Sequence, residues 1–225
     1  DLHSFPTRRS SDLPTVAQRR IIDNALRDFR LSGAELPEAQ KPRFQAIQEE
    51  QAALSAKFSE NLLDATNAFA EYVNNESELA GLPNDVIQAA REAAKKEGKN
   101  GWKFTLHMPS YLPVMQYADS RRLRAALYRA YVTRASEFGP PALNNAPLMR
   151  RLLELRQEEA RMLGYVNFAE VSLTPKMAES VKQVLAFLRD LAAKARPFAE
   201  KDLAELREFA AKTLGLPAQI GRAHV

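Results

Sequence analysis

The sequence predicts an almost wholly helical protein with one small β element, and two observations support this all-α fold class. Along most of the 225 residues, apolar side chains recur every three or four positions, which places them on one face of an α-helix. The clear departure is WKFTLHM, residues 102–108, where apolar and polar residues alternate as in a half-buried strand. We therefore expect long antiparallel helices and one short strand, paired with an extended piece near residues 72–74.

Three helices are expected before this strand. Residues 17–31 carry one apolar stripe, and Ser32-Gly33 ends the helix. A longer run after Pro42 carries an apolar seam from Ile47 to Tyr72 that needs a partner helix. PNDVIQAAREAAKKEG is rich in strong helix formers and closes at Gly98.

Helices resume after Pro109, which should end the strand. We expect Asp119 to cap a helix over 120–138. After the loop GPPALNNAP, a further helix should run to Gly164, and the Ser180–Gln183 spacing of a capping box should open the last long helix. Pro197 should kink that last helix, and Gly215-Leu-Pro217 should end it.

Composition excludes several classes of function. The chain has no cysteine, so it forms no disulfides and no thiolate metal sites. No stretch approaches the roughly 20 apolar residues of a membrane helix. The formal net charge of +4 is dispersed, without a basic block, so nucleic-acid binding is not favoured. With no export signal in the sequence, we expect a cytoplasmic protein.

The first and last segments of the chain resemble translated sequencing adapters and not natural protein sequence. Residues 1–13, DLHSFPTRRSSDL, can be back-translated into a common sequencing adapter that ends in CTCTTCCGATCT. Residues 220–225, IGRAHV, can be back-translated into the partner adapter, ATCGGAAGAGCACACGTC. We expect both segments to be adapter-derived and non-native, which leaves residues 14–219 as natural sequence.

The residues offer no complete catalytic site. His3 and His224 lie in the terminal segments, so only His107 remains, expected on the polar face of the strand. One histidine without cysteine cannot build HExxH or a two-histidine metal site. The acidic pairs Glu49-Glu50 and Glu158-Glu159 lie on predicted helices, where Glu158 suits an exposed salt bridge with Arg161 and Asp190 one with Lys194. No catalytic or metal-ligating residue is assigned.

One aromatic and basic cluster leaves two interpretations open. Tyrosine and arginine together can line a polar substrate channel, with hydroxyl donors and carboxylate clamps. Alternatively, Tyr128 and Tyr131 pack in the interior with their hydroxyls satisfied, while the arginines are solvated; we favour this interpretation, and substrate-binding residues stay unknown. The cluster comprises Tyr111, Tyr117, Tyr128, Tyr131, Arg121, Arg122, Arg124, Arg129 and Arg134.

The order of several segments resembles the thimet-oligopeptidase family over essentially all of residues 15–216. The most specific strings are LRAALYRAYVTRAS and ARMLGYVNFAEVSLTPKMA, preceded by FTLHMPSYLPVMQYA and followed by VLAFLRDLAAKARPFAEKDLAEL. The resemblance implies an almost wholly helical, two-lobed zincin-type metalloendopeptidase with a deep channel for short peptides. It also implies a Zn²⁺ ion held by HExxH and a later glutamate, none of which the sequence contains.

The resemblance therefore predicts a fragment of a zinc oligopeptidase. Residues 14–219 would be the N-terminal-lobe and central helical segment, without the catalytic region, inactive alone and with no bound Zn²⁺. Its partners would be short peptide substrates of the parent enzyme and the missing C-terminal part of its own chain. A non-enzymatic helical module that binds peptides is the alternative. Because the last helix would lose its packing partners, an apolar stripe there should be partly exposed, including Leu188, Leu191, Phe198 and Phe209.

Overall fold

A computed structural model describes residues 15–215, so the two segments expected to be adapter-derived lie outside the described residues. Within this range the chain forms helices and one small sheet, which confirms the predicted fold class. Two short 3-10 turns, at Glu76–Leu79 and Pro141–Leu143, join longer elements. Those elements are α1 (Val16–Leu31), α2 (Lys41–Ala68), β1 (Glu71–Val73), α3 (Asn84–Lys96), β2 (Trp102–Phe104), α4 (Met108–Tyr117), α5 (Arg121–Val132), α6 (Ala146–Met162), α7 (Phe168–Leu173) and α8 (Val181–Leu214).

The sheet has the predicted partners but a shorter second strand. β1 and β2 pair antiparallel, with Val73 opposite Trp102. The prediction of a strand to residue 108 was wrong, because β2 ends at Phe104. The Thr105 N–H donates to Ser110 Oγ at 2.9 Å instead of to a strand, and α4 begins directly afterwards. His107 is consequently the N-cap residue of α4 and does not lie on a strand.

The chain divides into two compact units, of which the first comprises residues 15–51 and 153–190 of the described range. Its buried apolar side chains are those of Phe44, Ile47, Leu155, Ala160 and Val171. The Arg43 guanidinium binds the Glu158 carboxylate through two hydrogen bonds, each of 2.6 Å. A paired Arg–carboxylate of this kind adds geometric specificity to the apolar packing.

The second unit comprises residues 52–152 and 191–215 of the described range. Its core surrounds the fully buried Phe104 ring of β2, against which α3, α4 and α5 supply apolar side chains. Because burying one large apolar side chain contributes roughly 1.5–3 kcal/mol, this cluster is the main source of stability in the unit. Its members are Val73, Leu79, Leu82, Ala90, Phe104, Val114, Ala118, Leu123 and Leu127.

Two buried asparagines join α2 to the start of α6 within the second unit. Asn61 and Asn145 are each 2% exposed, and Asn61 Nδ2 donates to Asn145 Oδ1 at 2.9 Å. Asn145 Nδ2 in turn donates to the Phe58 carbonyl at 3.0 Å. Asn61 Oδ1 is buried without a hydrogen-bond partner, so this pair is only partly satisfied.

Helix ends differ from the predictions in three places. Ser120, and not Asp119, caps α5, because its Oγ accepts the Leu123 N–H at 3.2 Å. α5 ends at Val132, six residues before the predicted end, with Thr133 as its C-cap. At the start of α8, Ser180 Oγ accepts the Gln183 N–H, but the Gln183 side chain accepts from Glu179, so the capping box is only half formed. α7, which begins after the cap residue Asn167, was not predicted.

The helix α8 runs through Pro197 and ends at Leu214, before Gly215 as predicted. Its apolar stripe is exposed as expected, with exposed fractions of 53% for Leu188, 71% for Phe198 and 54% for Phe209. The apolar stripe of α1 is exposed as well. Across residues 15–215, no helix combines the length and the apolar character that crossing a membrane requires.

The first prediction concerns the turn that leads into β2. Gly101 has φ +82°, and a Cβ built there would lie 2.2 Å from the Val73 carbonyl oxygen. Gly98 also has positive φ, at +67°, but a Cβ there would meet no atom within 4 Å. Gly98→Ala should therefore cost about 1–2 kcal/mol of unfolding free energy through left-handed strain alone. Gly101→Ala should cost at least about 2 kcal/mol more, because the clash separates the strands.

The unfolding free energy of both variants can be measured by urea unfolding, followed by the fluorescence of Trp102, which is the single tryptophan and lies in the sheet. Equal losses of stability in the two alanine variants would contradict the close backbone approach at Gly101.

The second prediction concerns the exposed stripe of α8. Residues 14–219, purified alone, should self-associate and be only marginally stable, because exposed apolar patches promote association. Light scattering after size exclusion should report oligomers, and Phe198→Gln with Phe209→Gln should shift the population towards monomer. A monomer that melts in one sharp cooperative transition would contradict this prediction.

Candidate functional site

Of the tyrosines and arginines singled out in the sequence, three side chains lie together in the second unit. Tyr111 is on α4, Tyr131 is in the last turn of α5, and Arg134 follows that helix. All three residues are half-buried. Both α4 and α5 bury residues in the apolar cluster around Phe104. This packing fixes the positions of the two helices and therefore the place where the three side chains meet.

The three side chains form a stack. The rings of Tyr111 and Tyr131 are stacked, with centroids 4.3 Å apart and an interplanar angle of 18°. Arg134 Cζ lies 3.7 Å from the centroid of the Tyr131 ring, which is a cation–π contact. Such a contact contributes about 0.5–2 kcal/mol, depending on how far the guanidinium is desolvated.

Two hydrogen bonds fix the guanidinium further. Arg134 Nε donates to the Tyr131 carbonyl oxygen at 2.9 Å, and Nη1 donates to Thr66 Oγ1 at 2.9 Å. The Thr66 hydroxyl donates to the Leu62 carbonyl within α2, at 2.7 Å. No sequence pattern indicated Thr66, because only the fold brings α2 beside the end of α5.

The backbone after α5 turns sharply. Ala135 has φ +48°, in the left-handed region that residues with a side chain rarely adopt. Its carbonyl accepts the Asn145 N–H at 2.9 Å, and its side chain is buried. The packing at Ala135 thus stabilises an unfavourable conformation, and this conformation sets the direction of the chain next to Arg134.

A cavity of about 250 Å³ opens beside this turn. We call it the Arg134 pocket, because Arg134 is the single charged residue in its wall. The remaining wall is mostly apolar, and the sequence alone did not indicate it because its residues come from four separate segments. The wall comprises Ala65, Ala68, Phe69, Leu106, Ala130, Thr133, Arg134, Ala135, Gly139, Pro140 and Leu143.

The charge of Arg134 has no acidic partner: no carboxylate of residues 15–215 forms an ion pair with it. Burial raises the pKa of the Tyr111 phenol above its ordinary value, the nearby Tyr131 and Tyr128 raise it further, and the Arg134 charge opposes them. Tyr111 therefore stays a neutral hydroxyl at physiological pH.

Two other arginines of the cluster, Arg122 and Arg124, have structural partners. Arg122 Nη1 binds Glu71 at 2.7 Å and its Nε binds Glu78 at 2.5 Å, while Arg124 donates to the Ala118 carbonyl. Tyr128 and Tyr131 are half-buried, and the Tyr131 ring packs against Tyr111 and Arg134. That both hydroxyls are satisfied stays a prediction. The expectation that the arginines are solvated was wrong for Arg124 and Arg134, which are half-buried.

A second cavity, of about 750 Å³, lies where α3 meets the sheet. Tyr72, Arg91, Lys99 and Trp102 are in its wall, and Lys99 Nζ lies 3.7 Å from the Tyr72 ring centroid. Beside it, Glu97 accepts hydrogen bonds from Lys103 and Tyr72, which lower the pKa of its carboxyl.

The acidic pairs on helices have structural roles. Glu158 pairs with Arg43, which is distant in sequence, whereas the prediction named Arg161. Glu159 is buried and accepts a hydrogen bond from Gln51 at 2.7 Å. Glu49 accepts one from Gln45 on the same helix.

The described residues do not fit a catalytic zinc ion. Within residues 15–215 no group of three or more histidine, cysteine, aspartate or glutamate side chains could hold a metal ion. His107, at the start of α4, belongs to no such group in this part of the chain.

Comparison with known proteins gives a consistent family. Residues 114–222 match the model of peptidase family M3. Oligopeptidase A of Haemophilus influenzae is 47% identical over 204 residues, which cover 90% of this chain and 30% of that protein. Oligopeptidase A of Escherichia coli is 47% identical over 203 residues, and the probable cytosolic oligopeptidase A of Arabidopsis thaliana is 38% identical over 201.

The chain is therefore a relative of the M3 peptidases, as its segment order suggested. Within that family it resembles bacterial oligopeptidase A over nine-tenths of its length, and it spans about three-tenths of the length of those relatives.

The third prediction concerns the ion pairs of Arg122. Its hydrogen bond to Glu78 lowers the pKa of that carboxyl, against the opposing effect of burial. A carboxyl with a lowered pKa in the folded state stabilises the fold above its unfolded pKa, and this contribution is lost as the pH falls through the folded pKa. Arg122→Gln should therefore cost about 1 kcal/mol or less at pH 7, because Arg122 is half exposed.

The difference in unfolding free energy between wild type and Arg122→Gln, from urea titrations at each pH, should be present at neutral pH and shrink as the pH falls below the ordinary pKa of a glutamate, 4.5. Arg121→Gln, on the exposed neighbour, is the control and should change stability little at any pH. A difference that is independent of pH would contradict the role of the Glu78 ion pair.

Proposed function

We propose that this chain is part of a zinc-dependent metalloendopeptidase that hydrolyses short oligopeptides. The observation that carries the proposal is the 47% identity to two bacterial oligopeptidases A over nine-tenths of the chain. Identity of this extent supports a common fold and a common reaction in the parent proteins. The proposed reaction, hydrolysis of oligopeptides, is based on the names of those relatives. The proposed metal, zinc, is based on the resemblance of the sequence to the thimet-oligopeptidase family.

Residues 14–219 have a scaffold role in this proposal, as the N-terminal-lobe and central helical segment of the enzyme. The sequence contains no HExxH motif, so the zinc ligands and the general base belong to a part of the parent chain outside these 225 residues. The partners are short peptide substrates and the rest of the same chain. We place the protein in the cytoplasm, and neither nucleic acid nor a membrane is among its proposed partners.

The contribution of the segment is positional. The core around Phe104 fixes the ends of α4 and α5, and these helices hold a wall with an apolar cavity and one uncompensated guanidinium. In a peptidase, remote walls of this kind orient the substrate, and orientation accounts for a large part of catalysis. The chain on its own should hydrolyse no peptide and bind no stoichiometric zinc.

The fourth prediction tests this assignment with a chimera. Residues 15–215 replace the corresponding segment of Escherichia coli oligopeptidase A, and hydrolysis of a quenched fluorescent peptide is measured. If the segment is the scaffold of the same enzyme, kcat/KM should stay within about tenfold of the parent, a change of about 1.4 kcal/mol in the barrier. Zinc content and a cooperative melt serve as controls for folding.

A folded, zinc-loaded chimera without peptidase activity would contradict the proposal and favour a helical module that only binds peptides. The chain alone is assayed in parallel with the same peptide. This control distinguishes any activity of the segment itself from the activity of the catalytic part of the chimera.

A further inference from the structure

The Arg134 pocket combines two features that call for a ligand of defined chemistry. Arg134 is half-buried, lies in the wall of the cavity and has no ionic partner among residues 15–215, so its charge is open to an anionic ligand. Only two of its five N–H donors are used within the protein, by Tyr131 and Thr66. The remaining donors, on Nη1 and Nη2, suit a carboxylate, which guanidinium groups bind through paired hydrogen bonds.

The volume of the pocket limits the size of that ligand. Pockets that hold drug-sized molecules measure about 300–1,000 Å³, whereas this one measures about 250 Å³. It therefore accommodates one medium-sized apolar side chain. Phe69, Leu106 and Leu143 supply an apolar wall for such a group, beside a single cation. The complementary ligand has one carboxylate next to one apolar side chain.

We propose that the Arg134 pocket binds the C-terminal residue of a peptide, with its free carboxylate on the Arg134 guanidinium and its apolar side chain in the cavity. The choice of a peptide over another carboxylic acid rests on the proposed function. The carboxylate and the apolar group follow from the pocket itself.

The Arg134 guanidinium is preorganised for binding a carboxylate. The Tyr131 ring, the Tyr131 carbonyl and the Thr66 hydroxyl hold it in one orientation before any ligand arrives. Because its side chain is already ordered, binding loses less rotamer entropy than binding to a mobile surface arginine. Arg129, on the exposed side of α5, has none of these contacts and is the matched control.

The fifth prediction uses the full chain and ligand-observed NMR titrations, which tolerate self-association. The probes are acetyl-Ala-Leu with a free carboxylate, the same dipeptide as its C-terminal amide, and 4-methylpentanoate. We expect the acid to bind with a Kd in the millimolar range, and the amide and 4-methylpentanoate at least about tenfold more weakly.

Two variants test the two halves of the pocket. Arg134→Gln should weaken binding of the acid at least about tenfold, while Arg129→Gln should leave it unchanged. Ala65→Leu keeps the guanidinium but fills the cavity, so it should also abolish binding. Trp102 fluorescence confirms that each variant is folded, so that a loss of binding is not a loss of structure.

Three results would overturn the inference. Equal binding of acid and amide would exclude the carboxylate contact, and binding that survives both pocket variants would place the ligand elsewhere. Equal binding of 4-methylpentanoate would exclude a peptide as the preferred ligand. These titrations measure binding and not hydrolysis. Their outcome therefore tests the binding proposal independently of the peptidase activity of the chimera, which tests the proposed function.

Discussion

Burial of Phe104 is the constraint on which the second unit depends. The ring projects from a strand of only three residues and is fully inaccessible to solvent. A two-stranded sheet is marginal alone, so its stability comes from the helices that cover this ring. Residues of α3, α4 and α5 share one buried apolar cluster with this ring, and this common core holds the three helices together. Gly101 and Gly81 then give the close backbone approaches that the packing requires.

The stack at the end of α5 is a consequence of the same core. Leu123 and Leu127 are buried one helical turn apart, and the next turn of that face carries Tyr131 against Tyr111 of α4. Where α5 ends, the left-handed Ala135 reverses the chain, and Arg134 is left over the Tyr131 ring. An apolar core thus positions a cation at the edge of a cavity.

Much of this fold could be predicted from spacing. The 3.6-residue period located most helices, the alternation in WKFTLHM located the sheet, and the exposure of the apolar stripe on α8 was expected. The end of β2 could not be predicted, because a side chain five residues further on takes the hydrogen bond of Thr105. The Arg134 pocket could not be predicted from the sequence either. Tyr131 and Arg134 are neighbours along the chain, but Thr66 and Leu106 come close to them only through tertiary packing.

The central claim is that this helical segment belongs to a zinc peptidase whose catalytic helix lies further along the parent chain. Reading the source gene past the codon for Gln219 tests it most directly. We predict that the adapter-like codons are absent from the genome and that the frame continues into an HExxH helix with a later glutamate. A genomic frame that ends in IGRAHV would contradict this account and make a peptide-binding scaffold without zinc chemistry the better description.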